Sequence, residues 1–151
     1  MIQRENFEHD FDPPLTEIGL LQAKLHGEEL SKNGIKIKHI YSSPALRSIQ
    51  TADKILEGMN LKDTVPIRIE TGLFEILSWQ LYLPTKYPFL NESVLKENGY
   101  NVDLEYSSII PREILNRNET LQDYYTRSYY MTKTIVDRHS DDGKLFKIFI
   151  Q

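Results

Sequence analysis

The stretch IYSSPALRSIQTADKIL, from Ile40 to Leu56, constrains the fold of this chain more than any other. A β-branched and aromatic run from Ile35 to Tyr41 meets a serine pair and a proline. Apolar residues then recur at helical spacing through Leu46, Ile49, Ala52, Ile55 and Leu56. The pattern is that of a strand, a tight turn and a helix. The Ser43 hydroxyl is suited to cap the helix, and Pro44 to its first position, where a missing N–H costs nothing. A turn of this kind lies at the carboxyl end of a strand, where open α/β sheets bind ligands. The unpaired N–H groups of a new helix there favour an anion. Arg47 sits one turn in, with a planar fork that grips two oxygens of a phosphate; Ser43 is the second candidate contact. A lone helix arginine is most often just solvated, so the assignment needs support from the rest of the chain.

Taken in order, Met1 to Pro14 reads as a polar, acidic loop ending in a proline pair, with His9 flanked by Glu8 and Asp10 as a surface histidine. Thr16 offers an N-cap. Ile18, Leu21, Leu25 and Leu30 then mark one face of a helix that Asn33 and Gly34 should end. His26 lies off that stripe, and His39 reads as a packing or edge residue of the strand before the central turn. After the central helix, Ile67 to Glu70 is a short strand ending at Gly72, and strands joined through helices imply a parallel sheet. Glu75 follows just beyond that strand end. Leu81 to Pro111 has no sustained period and reads as an irregular insertion, its tyrosines suited equally to an aryl ligand or to packing a long loop. Leu115 to His139 is the longest helical signal, with Leu121, Tyr124, Tyr125, Ser128, Met131, Thr132, Ile135 and Val136 on one face and His139 at the end, where a cation complements the helix dipole. KLFKIFIQ, from Lys144, reads as a last strand.

With 151 residues there is enough chain for one domain with a real core. A net charge of -4 argues against a duplex nucleic-acid surface. No apolar run is long enough to span a bilayer, and Met1 is followed by polar residues, so the expectation is a cytoplasmic chain with no membrane partner. The absence of cysteine removes disulfides, thiolate zinc sites and a cysteine-nucleophile phosphatase mechanism. Histidines and carboxylates show no metal-ligand spacing, and neither a metal nor a cofactor is expected.

The residues SSPALRSIQTA, Ser42 to Ala52, resemble the second motif of the histidine phosphatase superfamily, the phosphoglycerate-mutase-like proteins, whose motif arginine binds the phosphoryl group. Within it, the chain looks most like the phosphatase domain of the T-cell ubiquitin ligand proteins, the suppressors of T-cell receptor signalling. Similar blocks are DPPLTEIGLLQAKLHGEEL from Asp12, IRIETGLFEILSW from Ile67, YSSIIP from Tyr106 and DYYTRSYYMTKTI from Asp123. The resemblance implies a three-layer α/β fold with a mostly parallel sheet, here one partial domain over residues 1–151 and incomplete at both ends. It implies phosphomonoester hydrolysis, of the protein tyrosine phosphate type, through a phosphohistidine. In that scheme a glutamate acts as acid and then base, while arginines and a second histidine hold the phosphoryl oxygens.

Arg47 matches the motif arginine and Glu75 the acid. The family's nucleophile lies in an N-terminal Arg-His-Gly-type motif, and no such motif occurs in this chain; the second histidine has no match either. Three readings stand: a fragment or alternative product of an active phosphatase, inactive on its own; a degenerate member that binds a phosphorylated partner; or an interaction module that inherits only the fold. In the family, the missing first strand pairs with the strand that here is Leu145 to Ile150, so the three remaining strands stay contiguous. The freed edge, carrying Phe146, Ile148 and Ile150, is then a surface for self-association.

Overall fold

The computed structural model describes residues 12–75, 89–116 and 118–140, and the backbone of 146–150. Its elements are α1 (Glu17–Lys32), β1 (Ile37–Ser42), α2 (Leu46–Gly58), β2 (Ile67–Ile69), α3 (Glu92–Glu97), α4 (Leu121–Arg138) and β3 (Phe146–Ile150). Two single turns of 3₁₀ helix span Thr71–Leu73 and Arg112–Ile114. The sheet is parallel, in the order β2-β1-β3, so β1 is central and β3 is an edge among the described residues. The three strands are contiguous, as the resemblance requires. His9 and the first eleven residues lie outside the described structure, as do Tyr82 and Tyr87.

One face of the sheet is covered by α2, with α1 outside it. Ile40, Ile67 and Ile69 meet Leu46, Ile49, Ala52, Ile55 and Leu56 in the main core. Every residue of the stripe read from the sequence of α2 is buried. The opposite face is covered by α4, through a cluster of Tyr41, Leu73, Met131 and Ile135.

The outer helices depart from the sequence reading. In α1 three of the four residues of the expected stripe face outward: Ile18, Leu21 and Leu25 are exposed, Leu30 packs partly buried against the main core, and Ala23 and Gly27 are buried. The cause is a close helix crossing. A Cβ on Gly27 would stand 2.1 Å from the Ile55 carbonyl oxygen, and one on Gly58 2.1 Å from that of Lys24. Contact therefore runs through the smallest residues, which lets the backbones approach, and the large aliphatics are left on the far side.

Thr16 caps α1 as expected, accepting from the Gly19 N–H. The long helical signal begins later than Leu115: α4 starts at Leu121, where Thr120 and Asp123 form a reciprocal capping box. Only Met131 and Ile135 of its apolar face are buried, and Leu121, Tyr125 and Val136 are exposed, because α4 meets the sheet along a narrow line. The irregular stretch before Pro111 contains the short helix α3, and Val102 adds a parallel bridge to Ile67.

Candidate functional site

The turn after β1 differs from its local reading. Ser43 does not cap α2: its Oγ accepts from the Ala45 N–H at 3.3 Å, closing a turn two residues long, and lies 3.4 Å from Ser48 Oγ. The helix consequently starts at Leu46, after Pro44, with Ala45 in the N-cap position and no side-chain cap bond from it. The cap comes from a distant segment. Asp12 Oδ1 accepts from the Leu46 N–H at 2.9 Å. The same segment is pinned again where the Leu15 N–H donates to Gln50 Oε1 at 2.7 Å.

Arg47, in the first turn of α2, makes an ion pair with Glu75. A cation at the positive end of a helix is unfavourable in the helix field, and a carboxylate or another anion beside it offsets that cost. Both side chains keep solvent access, at 31% for Arg47 and 44% for Glu75, so the pair is open to a ligand. The structure thus brings together the two residues singled out for catalysis, one beyond β1 and the other beyond β2.

The position of Glu75 is set by two groups that sequence reasoning did not single out. Glu70, fully buried at the end of β2, accepts from the Gly72 N–H (2.9 Å), the Tyr106 hydroxyl (2.6 Å), the Ser108 hydroxyl (2.7 Å) and the N–H groups of Ile109 (2.7 Å) and Ile110 (3.2 Å). It caps the 3₁₀ turn that leads to Glu75 and ties the 106–110 loop beneath it. Burial, reinforced by Glu70, raises the pKa of Tyr106, so its phenol stays a donor.

Arg127 of α4 grips the same turn from the other side. It donates to the carbonyls of Gly72 (2.7 Å) and Phe74 (2.9 Å) while pairing with both oxygens of the buried Glu119. The YSSIIP block, which contains Tyr106 to Ile110, was the available signal for the first clamp, and the DYYTRSYYMTKTI block, which contains Arg127, for the second.

The remaining described histidines stand apart from this pair. His39 and His139 stack at 3.9 Å between centroids on the α4 face of the sheet. Arg68 donates toward His39 Nδ1 and to the Tyr41 hydroxyl, which lies 2.7 Å from His139 Nε2. His139 is the C-cap of α4. Among the described residues no group of three or more His, Asp or Glu could hold a metal ion, and no helix is long and apolar enough to cross a membrane.

The model of the histidine phosphatase superfamily (branch 1) matches residues 3–146. The chain belongs to that superfamily. It is 41% identical over 127 residues to ubiquitin-associated and SH3 domain-containing protein A of Mus musculus, covering 83% of this chain and 20% of that protein. It is 36% identical over 132 residues to ecdysteroid-phosphate phosphatase of Bombyx mori, covering 87% and 19%. The chain thus spans about a fifth of the length of these relatives. The crystal structure of the Bombyx ecdysone phosphate phosphatase in complex with tungstate superposes with a TM-score of 0.81 at 35% identity, over 92% of this chain and 52% of that one. Family and α/β fold therefore agree with the resemblance drawn from the motifs.

Proposed function

We propose that this histidine phosphatase superfamily member binds a phosphomonoester at the turn after β1, with Arg47 holding the phosphoryl oxygens and Glu75 facing the leaving oxygen as the acid. The observation that carries the reading is the Arg47–Glu75 pair, set by two separate strand ends and open to solvent. Its geometry suits an exchange in which a phosphoryl group displaces the Glu75 carboxylate from the guanidinium. Charge-assisted hydrogen bonds to Arg47 then hold the anion, and Glu75, released, faces its ester oxygen. Ser43 lies in the same turn and shapes it.

Hydrolysis in this family requires a histidine nucleophile, and among the described residues none of His26, His39 and His139 is bonded to Arg47 or Glu75. The chain on its own accordingly binds an aryl phosphate or phosphoprotein without turning it over, as a cytoplasmic binding element or as part of a longer phosphatase. Arg47→Ala should abolish vanadate binding in a calorimetric titration, since charge-assisted bonds contribute about 1.5–3 kcal/mol each. Wild-type affinity in that variant contradicts the reading. Turnover of an aryl phosphate that disappears in Glu75→Ala contradicts the proposed lack of catalysis. The outer edge of β3 is, in this reading, a surface for self-association. Light scattering of wild type against Ile148→Lys tests it, and monomers throughout would exclude it.

A further inference from the structure

We propose that Asp12 is a positioning residue of this phosphate site: it fixes the first turn of α2, and with it Arg47, and its charge tunes how tightly the site holds an anion. The proposal rests on the reading of Arg47 given above. Asp12 is 1% exposed, yet among the described residues only one of its oxygens is satisfied. Oδ1 takes the Leu46 N–H that Ala45 cannot cap, whereas Oδ2 is buried with no hydrogen-bond partner among the described residues. Leu46 immediately precedes Arg47, so this bond orients the residue that carries the guanidinium.

An under-satisfied buried carboxylate is costly to ionise. Burial raises the Asp12 pKa from 3.8 to about 6, against the opposing pull of the Leu46 N–H and of Arg47. Among the described residues the charged group whose field reaches Asp12 is Arg47 on α2, itself bonded to Glu75 beyond β2. Below that pKa the carboxyl is neutral and the positive field of Arg47 and the helix start is available to a ligand. Above it, Asp12 adds a negative charge behind the site that competes with a bound anion.

Sulfate is the suitable probe, because its charge is constant between about pH 5 and pH 8. Titrated across that range, the wild type should lose affinity roughly tenfold relative to Asp12→Asn as pH rises through about 6, the order expected of a partly screened unit charge. At low pH the two should bind alike. Asparagine keeps the acceptor for Leu46 and removes the charge, so a merely structural role for Asp12 would leave the two profiles parallel at every pH, and that result overturns the proposal. Arg47→Ala separates the two readings. If it abolishes sulfate binding while Asp12→Asn follows the wild-type profile, only the Asp12 proposal falls. If it binds sulfate as the wild type does, or if the wild type binds none, the anion site itself is wrong and both fall.

Discussion

Glu70 and Asp12 are both buried carboxylates that hold the Arg47–Glu75 pair, yet among the described residues Glu70 is met by five donors and Asp12 by one. Each holds one half of the site. Glu70 closes the turn that carries Glu75, and Asp12 caps the helix that carries Arg47. The difference lies in what each does when perturbed. A carboxylate whose acceptor positions are filled by backbone and hydroxyl donors is a fixed part of the frame. One with an orphaned oxygen is a weak point that protonation relieves. The Glu75 side of the pair is thus built for rigidity, and the Arg47 side for adjustment.

Removing Glu70 is the strongest way to break that contrast. Glu70→Ala leaves the part-buried Ile109 and Ile110 N–H groups and the Tyr106 hydroxyl without this acceptor, and the Ser108 hydroxyl with the Ile110 carbonyl in its place. At about 1–3 kcal/mol for each orphaned group, partly relieved by water, the loss should reach about 3 kcal/mol or more in denaturant unfolding. A loss under about 1 kcal/mol would mean that the 106–110 loop holds the turn without it.

The Asp12 arm predicts a smaller effect of opposite sign. Its folded pKa stands above the ordinary carboxyl value, so its contribution to stability is fully present below about pH 4 and is lost as pH rises through about 6. A shift of about two pKa units corresponds to roughly 3 kcal/mol, and the neutral amide is a weaker acceptor for the Leu46 N–H, so Asp12→Asn should be more stable than wild type near pH 8 by about 1–2 kcal/mol and show no gain near pH 4. A gain that is equal at both values would show that charge is not the cause.

How far the sequence carried this picture depends on the range of the interactions. The α2 core stripe and the parallel strands are local patterns, and they were readable. Arg47 and Glu75 were singled out by their places past strand ends together with the motif resemblance, and the structure shows them paired. The α1 face was misread, since Ile18, Leu21 and Leu25 give a convincing helical period while the true contact runs through Gly27 and Gly58, which no hydrophobic pattern marks. The cap of α2 was misassigned to Ser43 for a related reason. A serine next to a helix start is a local signal, whereas Asp12 reaches Leu46 across 34 residues. Glu70 escaped notice because its donors come from the 106–110 stretch, which has no period of its own.

The central claim is that Arg47 gives up Glu75 to hold a phosphoryl group. A crystal structure of this chain soaked with tungstate tests it most directly. The account predicts the oxyanion bonded to the Arg47 guanidinium, with the Glu75 carboxylate displaced from Arg47 and Asp12 still accepting from the Leu46 N–H. Tungstate bound elsewhere, with the Arg47–Glu75 pair intact, would contradict it.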